Sequence, residues 1–394
     1  MNCLLPETHE TISFDSSGVC SVCQNRQFRD NQIDWAVKHL SLTQIVDKAK
    51  RVGADYDCII PFSGGKDSTF TLYYAVHRLE LKPLVVSFDH GFYRPNMIEN
   101  RNRVVEKLGV DFLSFKPNWL LVRKLMLQSL LEKGDFCWHC HTGIFSYPMW
   151  VAIEKKIPLI LWGEPSSEYA SYYSYEDLEE VNEDRFNQIV NLGITAEDMQ
   201  MRLGGNQDKR DFKPYTYPPR KALREAGVSS LPLGSFIPWN PREQSKLIME
   251  ELGWKGDQVE GVPPNFSYEK IECYMQGVRD YIKYRKRGYS RVSHLMALEL
   301  RSQAVEQTEA QHIISEYEGK RPASLDLFLN IIGLNESEFE EIVKKHRVDP
   351  WEDKVFVQIG QRPHDFNLWQ PKPALPRSES QEILNRFNNG NFVT

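Results

Sequence analysis

The stretch Asp57-Cys58-Ile59-Ile60-Pro61-Phe62-Ser63-Gly64-Gly65-Lys66-Asp67-Ser68-Thr69 changes its periodicity halfway along. Cys58 to Ile60 is a short apolar run of the kind that forms a buried parallel strand. Thr69-Phe70-Thr71-Leu72-Tyr73-Tyr74-Ala75-Val76 has the apolar spacing of a helix lying on a sheet. Ser63 to Ser68 therefore falls where a strand becomes a helix. Gly64 and Gly65 admit positive φ and let backbone come close to a ligand. Amide N–H groups, the Ser63 and Ser68 hydroxyls and the helix dipole converge on one spot, and that spot suits an anion. A glycine turn that merely caps a helix would be spelled in much the same way. The spacing is not that of a Walker A loop, G-x-x-x-x-G-K-S/T.

Working outward, Pro83 to Phe88 reads as a second strand ending in Asp89-His90-Gly91. Met97 to Leu108 reads as a helix, Val110 to Phe115 as a third strand and Leu120 to Lys133 as a helix. After Gly134-Asp135-Phe136-Cys137-Trp138-His139-Cys140-His141-Thr142-Gly143 come a helix, Ile144 to Lys155, and a strand, Pro158 to Trp162, ending in Gly163-Glu164-Pro165. The alternation predicts an α/β fold with a doubly wound parallel sheet. It places Gly163 and Glu164 at the carboxyl end of a strand, where ligand sites of such sheets lie.

The remainder divides by composition. Residues 1–30 form a cysteine module, and 31–54 a linking helix whose apolar face carries Ile33, Ala36, Val37, Leu40, Ile45 and Ala49. The sheet domain takes 55–245, with a polar, tyrosine-rich insertion at about 166–224 and a helix starting at Pro241. Trp254 to Phe266 reads as a linker rich in Gly and Pro. Residues 265–394 are mainly helical, with helices over Tyr274–Arg287, Val292–Glu309 and Ser337–His346 and a loop-rich tail after Asp349.

With 394 residues, 41% hydrophobic and 26% charged, the chain can bury a large core. No apolar run reaches the length of a membrane span. The start, Met1-Asn2-Cys3-Leu4-Leu5-Pro6-Glu7, lacks the basic region of a signal peptide, so a cytoplasmic location is expected. A net charge of -6 speaks against a nucleic-acid binder, which more often carries a basic surplus.

Seven cysteines, including two C-x-x-C pairs, suggest metal sites or catalysis rather than disulfides in a reducing cytosol. Cys20-Ser21-Val22-Cys23 follows a strand and turn over Phe14 to Val19, a knuckle geometry that with Cys3 supplies three ligands for structural zinc. His9, or a ligand from elsewhere in the fold, is the candidate for the fourth. Cys137 and Cys140 admit three readings: a packed turn, a zinc site helped by His139 and His141, or an iron–sulfur cluster with Cys273 as third thiolate. Cys58 reads as a small buried hydrophobe. Lys283, Arg285, Lys286, Arg287, Arg291 and Arg301 make either a solvated helix face or a surface for a phosphate-bearing substrate or a partner.

The string Ser63-Gly64-Gly65-Lys66-Asp67-Ser68 resembles the PP-loop of ATP pyrophosphatases, which cut ATP between the α and β phosphates. Phe14-Asp15, Gly18 to Cys23, Phe62 to Ser68, Gly134 to Cys140, Trp162-Gly163-Glu164, Cys273-Tyr274 and Lys286 to Arg291 together resemble one branch, the N-acetyl sugar amidotransferases of surface-polysaccharide and flagellin-glycan biosynthesis. That family commonly opens with a C-x-x-C before the first proline, where this chain has Cys3 alone.

The resemblance implies Mg²⁺ and ATP, held by Ser63, Gly64, Gly65, Lys66, Asp67, Ser68 and Gly163, with Asp89, His90 and Gly91 cradling adenosine. It implies that an acetamido oxygen of the sugar attacks the α-phosphorus and that ammonia then displaces AMP, leaving an acetamidino group. Lys66 would add positive charge, Asp67 would orient the loop or hold Mg²⁺, and Glu164 would bind metal or substrate. The chain shows no class I glutaminase elbow, and Asn2 follows Met1, so the ammonia is expected from a separate glutaminase like that of histidine biosynthesis, with a cyclase-like companion. A PP-loop tRNA thiolase using an iron–sulfur cluster is the rival enzyme reading, and a non-catalytic scaffold with a degenerate loop the non-enzymatic one.

Overall fold

A computed structural model describes residues 3–52, 55–165, 179–180, 182–183 and 186–348. Residues 166–178 of the predicted insertion (about 166–224) and the tail from Asp349 lie outside the described residues. Five strands form one parallel sheet: β1 (Cys58–Pro61), β2 (Pro83–Phe88), β3 (Asp111–Phe115), β4 (Leu159–Trp162) and β5 (Ser229–Pro232). Their order is β3-β2-β1-β4-β5, with Cys58 opposite Pro83 and Ile59 opposite Ile160. The direction of winding reverses between β1 and β4, and the crevice outside their carboxyl ends is where such sheets bind ligands.

Alternation along the central strand builds both layers. Cys58 and Ile60 face a core shared with Leu72 and Ala75 of α3 (Lys66–His77), Val104 of α4 (Pro95–Leu108) and Ile248 of a helix over Pro241–Leu252. Ile59 faces the other way, onto Met149, Val151 and Ala152 of a helix over Trp138–Lys155. A strand buried on both faces is read from a continuous apolar run, and Cys58 is fully buried as expected of a small hydrophobe.

The amino-terminal part holds two helices, α1 (Ser21–Gln32) and α2 (Trp35–Val52). The expected single linking helix over 31–54 is interrupted because the Asp34 carboxylate accepts from the amides of Ala36, at 2.9 Å, and Val37, capping a new start. The expected apolar face of α2 is also corrected. Leu42, Val46 and Ala49 are buried, while Val37 and Leu40 stand 58% and 59% exposed, because the first half of the helix projects beyond the core.

The next helices are α5 (Trp119–Lys133), α6 (Trp138–Lys155), α7 (Ala196–Arg202), α8 (Arg220–Ala226) and α9 (Pro241–Leu252). The expected helix from Ile144 begins at Trp138, so Cys137 stands at its amino end and Cys140 in its first turn. Trp254 to Phe266 is not an exposed linker: Trp254, Val259, Val262 and Phe266 are buried in the main core. The expected helix Val292–Glu309 is two, α11 (Arg291–Arg301) and α12 (Gln307–Tyr317), following α10 (Gln276–Arg287). Gln303 between them takes a φ of 58°. Val292, Leu295, Met296, Ala310 and Ile314 join the sheet's core, whereas α10, α13 (Ser324–Ile332) and α14 (Glu336–Lys345) pack on α5 in a second one. No helix among the described residues is long and apolar enough to cross a membrane.

Candidate functional site

The glycine turn links β1 to α3 at the winding reversal. Gly64 has a φ of 86°, a left-handed value that favours glycine, and its carbonyl accepts from the indole N–H of Trp254 at 2.8 Å. The Ser63 hydroxyl lies 3.2 Å from that of Ser68 and accepts from the Gly65 amide at 3.2 Å. A Cβ on Gly65 would collide with the Glu272 carboxylate, which lies over the turn 3.5 Å from Ser63 Oγ. A carboxylate of the chain itself therefore rests against the amides and hydroxyls expected to attract an anion.

Lys66 is 3% exposed and lies between Asp67 Oδ2, at 2.7 Å, and Glu269 Oε2, at 3.0 Å. Burial disfavours its charge, but Asp67, Glu269 and Glu164 outweigh that and hold its pKa well above the usual lysine value. Burial likewise opposes ionisation of Glu269, yet Lys66, Lys270 and Arg291 bring it down to about 2. Glu164, partly exposed after β4, is pushed the other way, to about 8, by burial and by the Asp67 charge. Asp67 Oδ1 is buried with no hydrogen-bond partner. Gly163 keeps this corner open, since a Cβ there would lie 3.1 Å from Asp67 Cβ. Two unequal carboxylates beside a phosphate-type turn form a donor set that suits Mg²⁺, which takes one or two carboxylates plus phosphate oxygens.

Asp89, His90 and Gly91 make the turn after β2. Asp89 Oδ1 accepts from the Gly91 amide at 2.8 Å, and Gly91 has a φ of 88°. The His90 imidazole is buried, 4.3 Å from the Tyr93 ring, with Nδ1 accepting from the Phe92 amide; burial lowers its pKa to about 4.

Cys3, Cys20 and Cys23 meet. Their ligand atoms all lie within 4.8 Å of one another, Cys3 and Cys20 sulfurs being 3.4 Å apart. Asp15 Oδ1 accepts from the amides of Ser17 and Val19, closing the turn that ends in the Phe14–Cys20 bridge. Cys20 then caps α1, its sulfur accepting from the Cys23 amide at 3.4 Å. Hydrogen bonds from Cys20 and Cys23 hold the Cys3 pKa well below the usual thiol value. His9 is not brought into this group: its ring stacks 5.3 Å from Tyr289 and its Nδ1 accepts from Thr11.

Cys137, Cys140 and Cys273 converge less tightly. Among the described residues the amino-terminal trio is the group of three that closes within 4.8 Å, so at least one pair of these sulfurs is farther apart. Burial raises all three thiols, that of Cys273 to about 12, and the neighbouring thiols add to it at Cys137. A single zinc at about 2.3 Å from each sulfur spaces its ligands by roughly 4 Å. A cluster puts each thiolate on a different iron and spans more. The antiparallel bridge between Tyr93 and Cys273 brings this group beside the β2 turn. Glu269, Glu272 and Trp254 carry no motif and are not singled out by the sequence, whereas Arg291 ends the basic stretch from Lys286.

Fold and glycine turn together define an α/β protein of the PP-loop class. Residues 260–363 match the family described as LPS biosynthesis protein WbpG-like, C-terminal domain. The match spans only that part of the chain, and it supports the resemblance to the N-acetyl sugar amidotransferases carried by the motifs. An uncharacterized protein of Methanocaldococcus jannaschii is 28% identical over 107 residues, 27% of this chain; the match spans 38% of that relative's length. Among solved structures, the U34-tRNA thiolase NcsA from Methanococcus maripaludis with its 4Fe–4S cluster superposes with a TM-score of 0.34 at 13% identity, covering 84% of this chain and 87% of that one. No function is carried across at that level.

Proposed function

We propose that the chain is an ATP-dependent, AMP-forming amidotransferase acting on the acetamido group of an N-acetylated sugar. The observation that carries it is the anion-attracting turn at the winding reversal, with Asp67 Oδ1 unpartnered beside it. An amide is a poor electrophile, and adenylation converts its oxygen into a leaving group. The acetamido oxygen bonds to the α-phosphorus as the bond to pyrophosphate breaks; the amide proton is lost, giving an O-adenylyl imidate. Ammonia adds to the imidate carbon and the carbon–oxygen bond to AMP breaks, leaving the acetamidino group.

Ser63, Gly65 and Ser68 stabilise the charge growing on the departing pyrophosphate, provided that Glu272 moves aside. Asp67 and Glu164 would hold Mg²⁺, which supplies charge neutralisation between the phosphates. Cys3, Cys20 and Cys23 would hold zinc that fastens the knuckle to α11, and Cys137, Cys140 and Cys273 would hold an iron–sulfur cluster. A separate glutaminase, with a cyclase-like companion, would supply ammonia in the cytoplasm.

The test is incubation of the protein with ATP, an ammonium salt and N-acetylated nucleotide sugars. AMP and pyrophosphate with an acetamidino product by mass spectrometry are expected; ADP as the main product overturns the reading. A cluster at Cys137, Cys140 and Cys273 would serve the thiolase alternative as well, and thiolated tRNA nucleosides in place of an amidine would establish it.

A further inference from the structure

A cavity of about 100 Å³ opens where α10 meets the loop before Cys137. At ~30 Å³ per water it has room for roughly three waters. Five cationic side chains line it: Arg279, Lys283, Lys286, Arg287 and Arg291. Three carboxylates share the lining, Glu10, Asp135 and Asp280, so five positive and three negative charges leave a surplus of two.

Glu10 and Asp135 are already engaged, whereas Asp280 Oδ2 is buried without a hydrogen-bond partner. Glu10 pairs with Lys283 and Arg287, each at 3.4 Å, and accepts from the Tyr289 hydroxyl. Asp135 Oδ1 accepts from the Cys137 amide at 2.7 Å, and Asp280 faces Arg291 at 3.8 Å. Lys286 donates to the carbonyls of Lys133 and Gly134 at 2.8 and 3.1 Å, closing the floor. Burial and the crowding of like charges lower the pKa of Lys283, with Glu10 opposing.

Arg279 differs from the rest. Its guanidinium is only partly exposed, and among the described residues no acceptor lies within hydrogen-bonding distance of it. Burial opposes its charge, while Cys137, Asp135, Asp280 and Cys140 favour it without meeting it. A planar fork of five donors left without a protein partner, at the wall of a positively charged cavity, fits a bidentate oxyanion. The cavity also touches the candidate nucleotide site, because Arg291 pairs with Glu269 at 3.5 Å and Glu269 with Lys66.

We propose that this cavity takes a phosphoryl group of the sugar substrate's nucleoside diphosphate carrier, with Arg279 as its bidentate anchor. The assignment rests on the amidotransferase reading for the identity of the carrier, not for the anion.

The experiment measures equilibrium binding of UDP and of ATP to the full chain and to Arg279→Gln, Arg279→Lys and Arg285→Gln. Arg285 lies on the same helix but pairs with Glu340 at 2.7 Å, so it controls for net charge. Arg279→Gln should weaken UDP at least tenfold, leave ATP within twofold and keep the melting temperature; Arg285→Gln should change neither. Should Arg279→Gln fail to fold, Arg279→Lys replaces it, with a loss of threefold or more expected. Unchanged UDP affinity in the variants, or none in the parent chain, overturns the proposal. So does displacement of UDP by inorganic phosphate as readily as by UDP-N-acetylglucosamine, or Arg279-dependent binding of tRNA without UDP. If ATP is never split but UDP still depends on Arg279, the cavity stands and amide activation falls.

Discussion

Glu269, which begins no motif, lies 3.0 Å from the ammonium of Lys66 in the glycine turn more than two hundred residues earlier. Both side chains are buried, and Arg291 completes the row on the far side of Glu269. Removing one partner of a buried pair strands the other charge, which costs more than the pair itself contributes.

Glu269→Gln should therefore lower stability by about 3 kcal/mol, read from urea unfolding at neutral pH. Sign and window follow from the carboxyl, held at about 2 against an ordinary 4.5. The depressed pKa adds stability that is complete above 4.5 and drains as pH falls toward 2. The parent chain should lose stability over that window more steeply than Glu269→Gln; parallel curves would sink the assignment.

Glu272 occupies the ground that an incoming phosphate needs. Glu272→Ala should bind ATP more tightly, with KM lower by about threefold or more, since a competing carboxylate is removed. Gly65→Ala should lose about 100-fold in ATP cleavage, because its methyl would enter the same narrow space and displace the reacting groups. Initial rates against ATP concentration check both. A Glu272→Ala enzyme with raised KM would mean that this carboxylate serves the ligand.

Trp254 holds the turn from behind through the Gly64 carbonyl. Trp254→Phe keeps a ring in the core but leaves that carbonyl without its donor, at a cost of about 1–3 kcal/mol. Melting temperature should fall and KM for ATP rise together. A fall in melting temperature with unchanged ATP kinetics would assign the indole to packing alone.

The amino-terminal trio should hold one zinc per chain. Cys23→Ser should abolish that zinc by elemental analysis and lower the melting temperature by roughly 5 °C, since the knuckle packs on Ala297 of α11. Retention of one zinc in Cys23→Ser would place the metal elsewhere.

Local chemistry was legible in the chain itself. Cys58 to Ile60 reads as a strand buried on both faces, Gly64 takes its left-handed φ, and Asp15 with Cys20 spells a capped turn, because each depends on contacts a few residues apart. The strand–turn–helix at Ser63 and the strand end at Gly163 are therefore legible without the fold. What those residues face was not. Glu269, Glu272, Trp254 and Arg291 reach the loop only because α11 and the segment before α10 pack into the sheet's core. The same packing turned His9 onto Tyr289, away from the thiols, and left Val37 and Leu40 in solvent. Burial and charge pairing across the chain depend on which surfaces meet, and that is decided by the hydrophobic energy of the whole core rather than by any local spacing.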